Sequence, residues 1–202
     1  MAKLYFKYGA MGSSKTAQAL ITKFNYEERG MKVWLIKPAT DTRDGECVLR
    51  SRIGLSANCT PISADASVYE MYDKEHRDCD VIISDECQFF TPEQIDDMRR
   101  IVDEDEIPVL CFGLRTDFLT HTFPGSHRLF EVADSIAEIK TICKCGTKAT
   151  VNARISENGE VVTRGSQVLL GGNDAYIAMC HRCYIRGIRD QKKIKLHTHN
   201  EE

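Results

Sequence analysis

Eight residues near the amino terminus, Gly9-Ala10-Met11-Gly12-Ser13-Ser14-Lys15-Thr16, restrict the fold more than any other stretch. They follow a short apolar run, Leu4-Tyr5-Phe6, and precede a segment in which Ala17, Leu20, Ile21 and Phe24 recur with helical spacing. Strand, tight loop and helix in that order form the context of a phosphate-binding P-loop. In such a loop the backbone N–H groups point inward around a di- or triphosphate, and the helix N-terminus adds partial positive charge. Lys15 then reaches the β- and γ-phosphates, and the Thr16 hydroxyl ligates Mg²⁺. One position departs from the pattern G-x-x-x-x-G-K-[ST]: Ser14 stands where the second Gly is expected, with Gly12 two residues earlier. If that site needs a positive φ, a serine is modestly strained there. The competing reading of the same residues is an ordinary helix start with a serine N-cap.

Downstream, strands and helices alternate. Val33-Trp34-Leu35-Ile36 reads as a strand buried on both faces and stopped by Pro38, and Val68 to His76 as a short helix. Val81-Ile82-Ile83-Ser84 is an apolar strand that ends in Asp85 and Glu86. An acid at that end is the Walker B arrangement for Mg²⁺, and a second acid beside it can take a proton instead. Either acid alone could be no more than a strand end entering solvent. Thr91-Pro92-Glu93-Gln94 opens a helix that runs to about Glu104, and Pro108 to Gly113 is the next buried strand. The pattern predicts an α/β fold: a P-loop NTPase-like parallel sheet with helices on both faces and ligands at the strands' carboxyl ends. In the polar stretch from Thr40 to Ala66, Arg43 and Arg52 either reach phosphates or are ordinary surface arginines.

The 202 residues allow one generous domain or one domain with a small appendage. A net charge of −3 speaks against non-specific attraction to nucleic acid or membranes. No apolar run approaches the ~20 residues of a membrane span, and the amino terminus lacks a signal-peptide layout. With nine cysteines, this predicts a reducing, cytoplasmic setting. Cys47, Cys59, Cys79, Cys87 and Cys111 stand singly and read as small buried hydrophobes. The other four form two close pairs, Cys143-x-Cys145 and Cys180-x-x-Cys183, separated by 34 residues. Four thiolates so spaced suit tetrahedral structural Zn²⁺, with His181 as an alternative ligand; disulfides and unpaired core thiols are the competing readings. Between the pairs, Ala149 to Ile155 and Glu160 to Thr163 read as strands joined by an Asn158-Gly159 hairpin turn. Gly171-Gly172 would let backbone approach a ligand, with Tyr176 over its face. The expected division is a nucleotide-binding domain over 1–140, a zinc-binding domain over 141–187, and a disordered polar tail over 188–202.

Over nearly the whole length, from Leu4 to about Tyr184, the motifs taken in order resemble a thymidine kinase of the type with a zinc-stapled lasso. The P-loop with Ala10-Met11 is followed by Asp41-Thr42-Arg43, Asp85-Glu86-Cys87-Gln88-Phe89 and Gly113-Leu114-Arg115-Thr116-Asp117-Phe118. Then come Phe123-Pro124-Gly125-Ser126, the two cysteine pairs, and Gly171-Gly172 with Tyr176. The resemblance implies that Glu86 is the base for the 5′-hydroxyl of thymidine. It gives the ATP phosphates to Gly9, Ala10, Met11, Gly12, Ser13, Ser14, Lys15, Thr16, Arg43, Asp85 and Gln88, with Thr16 and Asp85 on Mg²⁺. It assigns the nucleoside to main-chain groups of Val168, Leu169, Leu170, Gly171 and Gly172, and to Met11, Phe89, Phe118 and Tyr176. Zinc on Cys143, Cys145, Cys180 and Cys183 would fix both ends of the lasso. The same resemblance implies deoxyuridine as a second substrate and a homotetramer or dimer, with no nucleic-acid or membrane partner. A P-loop ATPase or switch with a nucleic-acid-binding zinc module would need a basic module. Here Lys148, Arg154 and Arg164 are balanced by Glu157, Glu160 and Asp174. A nucleotide-binding structural protein without turnover would not need Glu86.

Overall fold

The structure is a computed structural model; it describes residues 1–41, 45, 47–167 and 175–198, and of residues 192–198 the backbone only. The chain divides into two compact units. Residues 1–9, 14–115 and 122–139 form the first, and residues 10–13, 116–121 and 140 onward the second.

The first unit runs β1 (Leu4–Tyr8), α1 (Lys15–Glu27), β2 (Val33–Pro38), β3 (Val48–Arg50), β4 (Ser56–Asn58), β5 (Thr60–Ile62), α2 (Val68–Met71), β6 (Val81–Ser84), α3 (Pro92–Asp105), β7 (Val109–Gly113), α4 (Pro124–Val132) and β8 (Ser135–Glu138). Six strands form one sheet in the order β5-β2-β6-β7-β1-β8, every neighbouring pair parallel. Alternation along each strand divides the apolar side chains between two faces. Phe6, Ile36, Ile82 and Cys111 pack with Val68 of α2, Ile95 and Met98 of α3 and Leu129 of α4. Leu35, Ile83, Leu110 and Phe112 pack with Ala19 and Leu20 of α1 and with Leu49 of β3. Both faces are covered, which is why the strands read as unbroken apolar runs.

Helix α3 begins as its sequence predicts. The Thr91 hydroxyl accepts from the Gln94 N–H, the Gln94 side chain accepts from the Thr91 N–H, and Pro92 opens the first turn. The helix after Ser67 continues beyond α2 as a wider π-type turn over Tyr72–His76. Strand β8 had no clear sequence signal, because it is an edge strand whose Ile136 and Ala137 are exposed. Since the sheet is parallel, β1, β6 and β7 bring Gly9, Asp85 and Leu114 to the same edge. The Gly9 N–H donates to the Gly113 carbonyl at 3.2 Å.

The second unit contains β9 (Val151–Arg154), β10 (Tyr176–Met179) and α5 (His181–Thr198). Two expectations change here. Turn bonds link Ser156 to Gly159 and Glu160, and Gly159 has φ 78° as that turn demands, but the returning segment 160–163 forms only a single bridge, Ile155 to Val161. The antiparallel partner of β9 is instead β10, with Arg154 opposite Tyr176 and Val151 opposite Met179. The stretch from 188, expected as a tail, continues α5 to Thr198. Tyr184, Ile185 and Ile188 lie on one helical face and pack with Val151, Ala153 and Val161, and that apolar stripe carries the helix onward. Gly187 lets the helix approach closely, since a Cβ there would stand 2.9 Å from Val161 Cγ2.

Candidate active site

In the first unit, Ser14 has φ 63° and ψ 28°, the left-handed conformation for which the P-loop pattern reserves glycine. Its side chain makes no capping bond, so the N-cap reading fails. Lys15 is buried. The Thr16 hydroxyl donates to Asp85 Oδ2 at 2.6 Å, across 69 residues of sequence. Asp85 is fully buried, and its other oxygen, Oδ1, has no hydrogen-bond partner among the described residues. Burial first, and the charge of Glu86 second, push the Asp85 carboxyl up to about 7; the Thr16 hydroxyl and Lys15 oppose the rise. A buried carboxylate with one oxygen on a threonine hydroxyl and the other unsatisfied fits a magnesium ligand set.

Glu86 also adopts the left-handed region, with φ 50° and ψ 34°, which costs a non-glycine residue about 1 kcal/mol or more. That turn directs consecutive acids apart: Asp85 is buried and Glu86 is half-exposed. Gln88, expected among the phosphate ligands, donates from Nε2 to Glu86 Oε2 at 2.5 Å and accepts at Oε1 from the Leu114 N–H at 2.9 Å. Gln88 therefore orients the Glu86 carboxylate and anchors it to the end of β7. A Cβ on Gly113 would lie 2.7 Å from Gln88 Oε1 and 2.5 Å from Cys87 Sγ, so glycine is required for this seat. A Cβ on Gly125 would meet the Cys87 and Phe90 carbonyls at 2.6 and 2.7 Å, so α4 also depends on glycine to lie against the same turn. Phe89 is half-buried and meets Phe123 edge-on, centroids 5.5 Å apart.

In the second unit, Met11 is held through its backbone. Its N–H donates to Asn152 Oδ1 at 2.7 Å, while Asn152 Nδ2 donates to the Thr116 carbonyl at 2.9 Å. Phe118 and Tyr176 both pack on Arg154. Its guanidinium stands 3.8 Å from the Phe118 ring centroid and 5.1 Å from that of Tyr176, and it donates to the Tyr176 hydroxyl. The Tyr184 hydroxyl donates to the Phe118 carbonyl at 3.0 Å. Asp117 Oδ1 accepts from the N–H groups of Leu119 and His121, which closes a loop that keeps Thr120 at φ 70°. Asp117 Oδ2 accepts from Gln167 Nε2 at 3.1 Å. Sequence reading missed Asn152, Arg154 and Asp117 as organising residues. The available signal was two polar residues on β9 alternating with Val151 and Ala153.

The paired cysteines converge. The four sulfurs lie within 4.8 Å of one another, and Cys145 Sγ is 3.7 Å from Cys180 Sγ. The first pair is bent by a tight turn in which the Gly146 N–H donates to the Cys143 carbonyl, with Gly146 at φ 84°. In the second pair the Cys183 N–H donates to Cys180 Sγ at 3.4 Å. Thr147, hydrogen-bonded to Cys145, brings that thiol down to about 6. The cluster is compatible with structural zinc.

A family model described as thymidine kinase matches residues 2–184. The chain belongs to the thymidine kinase family. Thymidine kinases from Yersinia pseudotuberculosis serotype I (44% identical over 94% of this chain and 97% of that protein) and Legionella pneumophila strain Lens (45%, 93% and 91%) are similar to it. So is that of Zymomonas mobilis, 43% identical over 92% of this chain and 97% of its own. A solved Bacteroides Pif1 bound to ssDNA aligns with 68% of this chain and 38% of its own at TM-score 0.39 and 17% identity, too slight a likeness to bear on fold or function. Of the thymidine kinase residues expected from sequence, Arg43, Val168, Leu169, Leu170, Gly171 and Gly172 lie outside the described residues. Among the described residues, no helix is long and apolar enough to cross a membrane.

Proposed function

We propose that the chain transfers the γ-phosphate of ATP to the 5′-hydroxyl of thymidine, giving dTMP and ADP, with deoxyuridine as a second acceptor. The observation that carries this reading is Glu86, held by Gln88 at 2.5 Å beside the buried Asp85, which Thr16 holds. A separately oriented carboxylate beside the metal pair serves an incoming O–H nucleophile, and the similarity to thymidine kinases supports a nucleoside hydroxyl in that place over water. Glu86 accepts the 5′-hydroxyl proton as the oxygen attacks. Lys15 and the backbone of Gly9–Thr16 hold the phosphates, and Arg43 stabilises charge on the group in transit. When bound by Thr16 and Asp85, Mg²⁺ supplies positive charge to the phosphate oxygens.

The remaining assignments belong to the same proposal. Zinc on Cys143, Cys145, Cys180 and Cys183 would fix the ends of the segment between the pairs. Residues 168–172 with Met11, Phe89, Phe118 and Tyr176 recognise the nucleoside, and Phe118 and Tyr176 are themselves set by Arg154. A homotetramer or dimer in the cytoplasm completes the reading.

ADP release with thymidine, deoxyuridine, deoxycytidine, deoxyadenosine or no nucleoside tests it. Release should depend on thymidine or deoxyuridine; equal release without nucleoside would make the protein an ATPase. Glu86→Gln should lower the rate by about 10²–10⁴ with ATP affinity kept, the range of a lost general base. Unchanged turnover would remove Glu86 from the mechanism.

A further inference from the structure

Cys47 and Cys59 share no sequence motif, but they flank the two ends of the β3–β4 hairpin, which brings them opposite each other. The antiparallel register pairs Arg50 with Ser56, Leu49 with Ala57 and Val48 with Asn58. The paired register ends there; one position further, Cys47 faces Cys59, whose N–H donates to the Cys47 carbonyl at 2.9 Å. Directly opposed residues in such a ladder have Cα atoms about 5.5 Å apart at a hydrogen-bonded position. Their side chains lie on the same face. A Cα separation of about 5.5 Å is inside the range of roughly 4.4–6.8 Å that a disulfide spans, but Cβ atoms at such a position stand about 1 Å wider than the bond needs. Closure therefore requires the chain end at Cys47 to shift inward and makes the bond a readily reduced one. The shared face is the one that carries Leu49 and Ala57 against α1.

The two thiols differ in a way that suits sequential oxidation. Cys47 is exposed at the open end of the ladder, whereas Cys59 is buried. Burial pushes the Cys59 thiol up to about 11; the nearby Lys37 ammonium lowers it and Cys47 itself raises it further. Cys59 is therefore the protected partner and Cys47 the one that meets an oxidant first. Lys37, buried in the first unit, donates to the carbonyls of Gly45 and Val48, on either side of Cys47, at 2.8 and 2.9 Å. That anchor holds the chain around Cys47 against the end of the ladder.

We propose that Cys47 and Cys59 are a modification site for hydroperoxides, closing to a reversible disulfide that slows phosphoryl transfer. The Cys47 thiolate attacks a peroxide oxygen; the O–O bond breaks, hydroxide leaves as water, and Cys47 becomes a sulfenic acid. Cys59 sulfur then attacks Cys47 sulfur, the S–S bond forms as the S–O bond breaks, and the departing hydroxyl leaves as water with the Cys59 proton. Two thiols and one hydrogen peroxide give one disulfide and two waters. The bond fixes the chain four residues beyond Arg43, so its effect on rate rests on the kinase reading above.

The experiment treats the full-length, zinc-loaded protein with hydrogen peroxide, alkylates free thiols and maps tryptic peptides without reductant. Cleavage after Arg43, Arg50, Arg52 and Lys74 puts the two cysteines on separate peptides, 44–50 and 53–74. The expected result is a linked 44–50/53–74 species that dithiothreitol releases. Alongside it, thymidine-dependent ADP release should fall about tenfold or more, as for a small misplacement near a reacting group, and recover on reduction. Cys47→Ser, an exposed change away from the assigned catalytic groups, should keep both its fold and its rate under peroxide. Alkylated Cys47 and Cys59 with no linked peptide would overturn the site, whether or not the chain is a kinase. A linked peptide with an unchanged rate, or an equal loss of rate in Cys47→Ser, would overturn the switch. Failure of the kinase reading would show earlier, as no nucleoside-dependent release before oxidation.

Discussion

The sheet unit encloses Phe6, Ile36, Ile82 and Met98 on one side of its strands and Leu35, Ile83, Leu110 and Phe112 on the other, whereas the unit built on β9 and β10 gathers Val151, Ala153, Val161 and Tyr184 and then relies on four sulfurs. The first is a two-sided apolar core whose stability is spread over many side chains. The second is below the size at which burial alone suffices, and its order is concentrated in a few polar residues and a cysteine cluster compatible with zinc. Asn152 ties backbone and Arg154 ties rings from distant parts of the sequence, while Asp117 closes its own loop and accepts from the Gln167 side chain. A spread core tolerates single changes; a concentrated one does not.

The largest effect expected from that contrast is metal removal. Structural zinc contributes roughly 10 kcal/mol or more to small modules, so a strong chelator, or Cys180→Ser, should unravel the second unit. Hydrogen exchange should then rise across residues 140–167 and leave β6 and β7 protected, with thymidine-dependent ADP release lost. Uniform loosening of both units would erase the distinction.

Asn152→Ala comes next. It leaves the Met11 N–H and the Thr116 carbonyl without their partner, about 1–3 kcal/mol for each buried group. Because Met11 lies in the phosphate loop, KM for ATP should rise with the loss in stability. Asn152→Asp keeps the acceptor but loses the donor and should fall between the two. A variant that melts earlier with KM unchanged would confine Asn152 to a packing role.

Asp85 supplies a pH-dependent test in the sheet unit. Its folded carboxyl is raised from 3.8 to about 7, so protonation favours the metal-free folded state. That contribution is complete below pH 3.8 and is lost as pH rises to about 7. Magnesium competes with the same proton, so the half-saturating Mg²⁺ concentration should rise about tenfold per pH unit below 7. A titration of activity against Mg²⁺ at several pH values checks this, and a flat profile would show that Asp85 does not take the ion.

The smallest effect is Ser14→Gly. Relief of the left-handed serine should raise stability by about 1 kcal/mol or less and leave activity intact or higher. A collapse in rate would mean that the serine side chain acts in the loop.

What sequence revealed follows the same contrast. The strand–loop–helix around Ser14, the acids ending β6 and the Thr91-Pro92 opening of α3 were legible because each is local: neighbours in sequence are neighbours in space. The left-handed Ser14 was legible for the same reason, as an exception inside a known pattern. Asn152 was not, because its partner Met11 lies 141 residues away and nothing near either residue marks the other. The β9–β10 pairing was misread in favour of a nearer hairpin, since Asn158-Gly159 is a strong local turn whose returning strand is not built. Cys47 was read as a buried hydrophobe and is exposed; only the ladder register brings it to Cys59.

The strand order also sets a schedule for synthesis. Strand β1 lies between β7 and β8, so the first strand made has both neighbours among the last strands of its sheet. Leu4 pairs with Val109, and Tyr5 with Ser135, each more than a hundred residues later. At about 5–20 residues per second, a nascent chain carries β1 with both edges open for roughly 5–20 s. For that interval β1 has no sheet to join, and a ribosome-bound helper that covers the strand would protect it most before residue 113 emerges.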